Sequence, residues 1–204
     1  MKVSGAGKSG QPARGARIGR VRIGISGGVY PRWRRAFYPP DARARDELAF
    51  ASRHFDTIEI NGSFYSLRAP ADFRKWRDET PDDFVFAIKG SRFITHNLKL
   101  ARADAPLANF FASGMLALGA KTGPFLWQLP PGHGFDRDRV EAFLRLLPRD
   151  DRGAARLARR HDDRLRRGAL ARAPRGTPVP YRHAVEVRHP SYLDPAFFAL
   201  LREW

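Results

Sequence analysis

The chain has 204 residues, 43% of them hydrophobic, which is enough to bury the core of one domain. It contains no cysteine, so disulfides, thiolate catalysis and zinc–sulfur sites are excluded, and no apolar run nears the roughly 18 residues of a membrane span. The formal charge of +16, from 37 Lys and Arg against 21 Asp and Glu, reads either as a solvated basic surface or as a site for polyanions such as nucleic acid, an acidic membrane surface or phosphorylated substrates.

Residues 1–20 read as a disordered basic tail: Lys2, Lys8, Arg14, Arg17 and Arg20 stand among Gly, Ser and Ala with no acid. No apolar stretch follows it, so a secretory signal is not expected and a cytoplasmic location is the default. Gly7-Lys8-Ser9 imitates the end of a P-loop. The first glycine of that motif would fall on Lys2, however, and no strand precedes it, so nucleotide binding there is rejected.

A first strand is predicted over 21–26, running into Gly27-Gly28-Val29-Tyr30-Pro31. Trp33, Phe37 and Tyr38-Pro39-Pro40 follow, then a helix from about Asp46 to His54. A second strand, 56–61, ends in the loop Gly62-Ser63-Phe64-Tyr65, and the helix after it carries Phe73 and Trp76 in its core face. The third strand, 84–89, leads into a loop from Gly90 to His96. A longer helix covers about 105–119, with Leu107, Phe110, Phe111 and Met115. The fourth strand, 124–129, stops at Pro130-Pro131, and a helix over about 136–147 puts Val140, Phe143, Leu144 and Leu147 on one face. The charged stretch 151–167 reads as an exposed helix, followed by a Pro/Gly/Arg loop over 173–180. A fifth strand, 183–188, and a helix from Asp194 complete the chain.

Strands that alternate with helices predict parallel βα units, whose ligands sit beyond the carboxyl ends of the strands. Side chains alternate across a strand. Ile58 and Ile60 therefore oppose Glu59 and Asn61, Phe86 and Ile88 oppose Lys89, and Val185 and Val187 oppose Glu186 and Arg188. A doubly wound sheet would be apolar on both faces. One apolar face and one that turns polar at its end predict an α/β fold of the TIM (β/α) barrel type over 21–204, incomplete, with about five of eight βα units present.

The inward polar set is Ser26, Glu59, Asn61, Lys89, Gln128, Glu186 and Arg188. Charges gathered at one mouth are either a neutral hydrogen-bonded plug or a ligand site, and both readings stay open. In the second, Lys89 and Arg188 hold an anionic group while Glu59 or Glu186 handles a proton or a metal. His96 and His189 follow strands three and five and could join as ligands or bases. No local metal-ligand spacing exists, and a cofactor is not indicated either way. Tyr30, Trp33 and Tyr65, with neighbouring aromatics, either cover the mouth or form a stacking wall.

These motifs resemble the YecE-like family, also called domain of unknown function 72. The resemblance rests on Ile23-Gly24-Ile25-Ser26-Gly27 with Tyr30 and Trp33, on Phe37-Tyr38-Pro39, and above all on Thr57-Ile58-Glu59-Ile60-Asn61-Gly62-Ser63-Phe64-Tyr65. Phe84 to Arg92 with Thr95-His96, Leu126 to Pro131, and Glu186-Val187-Arg188-His189-Pro190-Ser191 follow in the family's order. It implies a TIM-like barrel whose mouth is built from these residues, with Ser63 and Arg92 added to the ligand set, and it implies no activity. Gly28 departs from the pattern, standing where similar proteins often carry a bulky residue. Similar proteins also continue for three further strands, so a truncated and inactive product is one expectation for this chain. The other two are an enzyme acting on a small anionic, phosphorylated or sugar-like ligand, and a nucleic-acid-associated protein using the tail and the arginine-dense segment 149–182.

Overall fold

Apolar side chains at every second position build five short parallel strands: β1 (Gly24–Ser26), β2 (Thr57–Ile60), β3 (Val85–Lys89), β4 (Thr122–Gln128) and β5 (His183–Glu186). The computed structural model describes residues 19–27, 31–34, 36–165 and 168–204. The tail to residue 18, with its Gly7-Lys8-Ser9 tripeptide, lies outside the described residues, as do Gly28, Tyr30, Arg166 and Arg167. The strands pair in chain order, β1-β2-β3-β4-β5, with no reversal.

The helices are α1 (Glu47–Ala51), α2 (Gly62–Tyr65), α3 (Pro70–Asp78), α4 (Asp104–Ala112), α5 (Arg137–Leu146), α6 (Asp151–Ala158) and α7 (Pro195–Glu203). One face of the sheet, with Ile58, Ile60, Phe86, Ile88, Phe125 and Trp127, is buried beneath them, while the residues alternating with these stay half-exposed. Burying each such side chain contributes about 1.5–3 kcal/mol. Trp127 anchors this layer, edge-on to Phe143 of α5 at 5.1 Å and 5.5 Å from Phe110 of α4. α4 is buried from Leu107 to Ala112, because it lies between the sheet and α6.

Several sequence expectations change. The predicted strand over 21–26 keeps only Gly24–Ser26, and Ile23 is exposed beside it. The helix expected over 105–119 breaks at Gly114, whose φ of +129° an L side chain rarely adopts, and a 3-10 turn (Met115–Lys121) follows. A Cβ at Gly114 would also lie 2.5 Å from Pro70 Cα. The helix expected to be exposed over 151–167 is shorter, and it buries Ala154, Ala155, Leu157 and Ala158. Its small residues let it approach α4 closely. Beyond it, Asn109 donates to Asp162 Oδ1 at 2.9 Å and accepts from the Asp162 amide at 3.0 Å.

Two stretches expected as loops are helical turns. Gly62–Tyr65 forms α2, and Phe93–Asn97 forms a π-helical turn that buries Ile94 and Thr95. Arg20, placed in the tail by composition, ion-pairs Asp83 at 2.9 Å and Asp56 at 3.6 Å, beside the N-terminal ends of β2 and β3. Lys121 is buried and donates to the carbonyls of Arg77 (2.6 Å) and Thr80 (2.7 Å), closing the C-terminal end of α3 with a positive charge.

Candidate functional site

Parallel pairing in register brings the polar strand ends side by side. Ser26 stands opposite Glu59, Glu59 opposite Ala87, and Gln128 opposite Glu186. These residues form two hydrogen-bonded groups, not the single set expected. In the first, Ser26 donates to Glu59 Oε1 at 3.0 Å and accepts from Asn61 Nδ2 at 2.8 Å. In the second, Gln128 donates to Glu186 Oε2 at 2.7 Å, and Arg188 contacts Glu186 Oε1 through Nε and a terminal nitrogen, each at 2.8 Å.

Lys89 ends β3, between the two groups. Its Nζ lies 5.3 Å from the centroid of the Phe64 ring, and among the described residues it has no ion-pair or hydrogen-bond partner. Phe64 comes from α2, and its ring also meets His96 edge-on at 5.2 Å. His96 comes from the π-helical turn after β3, with Nδ1 2.9 Å from Thr95 Oγ1. Phe64 is thus the platform joining Lys89 and His96. The aromatic pattern of the loop flags the residue, but nothing in the sequence marks this role.

The electrostatics tie these groups together. Burial, and then the positive charges of Arg92, Arg188 and Lys89, hold the His96 imidazole below the usual histidine value, so it is neutral at pH 7. Burial opposes ionisation of Glu186, but hydrogen bonds from Gln128 and Arg188 and the charges of Arg188 and Lys89 outweigh it. Its carboxyl is held below the ordinary range. Lys89, Arg92, His96, Gln128, Glu186 and Arg188 therefore share one local field.

The other candidates take different places. Ser63 is buried, its hydroxyl 2.9 Å from the Ile60 carbonyl and 2.7 Å from the Lys89 carbonyl, so it straps β2 to β3. His189 accepts from the Ser191 amide at 3.2 Å and caps the 3-10 turn Pro190–Leu193. Trp33 packs 5.2 Å from Phe37 and 6.3 Å from Phe55, within an aromatic cluster. Tyr65 is exposed, edge-on to Phe64 at 5.0 Å. In the arginine-dense segment, Arg152 donates to the Gly176 carbonyl and Arg149 lies 5.4 Å over the Trp204 ring. Among the described residues no group of three His, Asp or Glu could hold a metal, and no helix is long and apolar enough to cross a membrane.

A parallel α/β protein with a cluster of cations at the carboxyl ends of its strands is the class that sequence and geometry define. Residues 22–204 match the family described as "Protein of unknown function DUF72", and the chain belongs to that family. The UPF0759 protein YecE of Escherichia coli strain K12 is 32% identical over 114 residues, covering 56% of this chain and 39% of YecE. The UPF0759 protein YunF of Bacillus subtilis strain 168 is 28% identical over 118 residues, 54% of this chain and 40% of YunF. The matches thus span about two fifths of these relatives' length. Among solved structures, a DUF72 family protein of Thermotoga maritima superposes with a TM-score of 0.62 at 22% identity, covering 89% of this chain and 61% of that one. A DUF72 family protein of Enterococcus faecalis gives 0.56 at 16% identity, covering 88% and 55%. These likenesses establish the fold.

Proposed function

We propose that the chain is part of a TIM-like barrel and that its strand ends bind a small molecule carrying a phosphate or carboxylate group. Five parallel strands in strict chain order support the barrel, because a doubly wound sheet reverses its order at a switch point. One observation carries the ligand reading. Lys89 is half-buried, among the described residues its ammonium has no anionic partner, and it shares its field with the cations Arg92 and Arg188 as well as with Glu186. A partly desolvated ammonium gains most from an anion brought to it. Glu186 uses its two oxygens on Gln128 and Arg188, which aims the guanidinium rather than neutralising Lys89.

The neutral His96 supplies the proton-transfer chemistry in this reading. An anion on Lys89 would lie near an imidazole able to take up a proton, and Glu59, hydrogen-bonded to Ser26, is the second carboxylate on the same side of the sheet. Titration calorimetry with inorganic phosphate tests the site. Lys89→Met and Arg188→Gln should each weaken phosphate binding by tenfold or more while far-UV circular dichroism stays unchanged. Binding of equal strength in both variants, or none in the parent protein, would refute the proposal.

A further inference from the structure

A cavity of about 400 Å³ lies between β2, α1 and α3. That volume lies within the range of small-molecule sites, about 300–1,000 Å³. Its apolar wall is made by Ile58, Ile60 and Phe86 of the strands, Leu48 of α1 and Trp76 of α3. The charged groups around it are mostly engaged. Glu47 ion-pairs Arg34 at 2.9 Å, Glu79 approaches Lys75 at 3.8 Å, Arg45 approaches Asp46 at 3.8 Å, and the Glu59 carboxylate accepts from Ser26 at 3.0 Å.

Two groups on this wall are not engaged. Arg68 has a buried Nε without a hydrogen-bond partner, and among the described residues its guanidinium has no ion pair. Asn61 has a buried Oδ1 without a partner. Its Nδ2 donates to Ser26 Oγ, which in turn donates to Glu59 Oε1. Both line the cavity, and a Cβ built on Gly62, next to Asn61 in the chain, would meet Arg68 Nη2 at 2.0 Å. The guanidinium occupies the space that the missing side chain of Gly62 leaves open. A half-buried cation and a buried acceptor, each unsatisfied, call for an anion and a donor from outside the chain.

We infer that this cavity binds a small hydroxycarboxylic acid: its carboxylate on Arg68, its hydroxyl donating to Asn61 Oδ1, and its apolar body against Ile58, Ile60, Phe86 and Trp76. Lys89 is not among the residues that line this cavity, which meets the strand ends only at Glu59 and Asn61, so the inference does not rest on the Lys89 anion.

Mandelate, phenylacetate and mandelamide, titrated by calorimetry into the full chain, separate the contributions. Mandelate should bind saturably. Phenylacetate, lacking the hydroxyl, should bind about tenfold more weakly, the worth of one buried hydrogen bond, and mandelamide, lacking the charge, should not bind. Arg68→Met should abolish mandelate binding and keep the fold, since it removes an unpaired, partly buried charge. Gly62→Ala leaves the net charge intact but displaces the guanidinium, and should weaken binding at least tenfold. Lys89→Met should leave mandelate affinity unchanged, so loss of the strand-end site and loss of this one are told apart. Absence of saturable mandelate binding, its persistence in Arg68→Met or Gly62→Ala, or its loss in Lys89→Met would each overturn the inference.

Discussion

Replacing Lys121 with Met removes one ammonium from a site where burial makes its absence costly. Nζ donates to two carbonyls at the end of α3, Arg77 at 2.6 Å and Thr80 at 2.7 Å, and lies 3.2 Å from Thr80 Oγ1. Each hydrogen bond from a charged donor is worth about 1.5–3 kcal/mol, and carbonyls left unpaired in the interior add their own cost. The methionine recovers part of this through apolar contact, so a net loss of about 3 kcal/mol is expected. For a domain of this size that lowers Tm by about 6–12 °C. Lys75→Met is the control, because its 3.8 Å pair with Glu79 is solvent-exposed and should change stability by less than about 0.5 kcal/mol. Urea unfolding of both variants, read by circular dichroism, gives the comparison. A loss below about 1 kcal/mol in Lys121→Met, or one no larger than the control's, would refute the capping role.

Gly90→Ala should destabilise by about 1–3 kcal/mol in the same assay, because its Cβ would lie 2.3 Å from Cε3 of the fully buried Trp127; a change within 0.5 kcal/mol would mean that the ring yields. His183 accepts from Trp127 Nε1 at 3.1 Å and faces the Pro148 carbonyl at 2.8 Å through Nε2, and burial holds its pKa below the usual value. The unfolded chain therefore takes up a proton that the native state resists, and stability should fall as pH drops below about 6.5. His183→Gln can keep both partners without titrating, so its stability should vary less between about pH 7.5 and 5.5 than the parent's; equal slopes would contradict the assignment. Glu186 acts in the same direction at lower pH. Its lowered pKa contributes stability that is present at neutral pH and lost only below the ordinary glutamate value of about 4.3, so Glu186→Gln should flatten the acid limb alone.

The strand pattern was legible because period-2 alternation survives in short segments: Ile58 and Ile60, Phe86 and Ile88, and Phe125 and Trp127 all face the helices. The same alternation placed Glu59, Lys89, Gln128 and Glu186 on the other face. It could not say which of them would meet. That depends on register and on where Arg188 turns after β5, and so one expected cluster became two. Short helical turns carry too few residues for a periodic signal, which hid α2 and the π-helical turn that delivers Phe64 and His96. Around α6 the arginines of the 149–167 stretch dominate the composition and conceal the Ala154, Ala155 and Ala158 stripe packed on α4. Nothing local marks Lys121 or Arg68, because a lone cation reads as surface until its neighbours in space are known.

The central claim is that Lys89 and Arg188 hold an anion beside a neutral His96. Histidine side-chain NMR, following the His96 ring through pH with and without inorganic phosphate, tests it most directly. Without phosphate the His96 pKa should lie below the usual histidine value, as burial and three nearby cations require. Saturating phosphate should raise it by screening those cations, and Lys89→Met should suppress the rise. An imidazole whose titration is the same with and without phosphate would contradict the account.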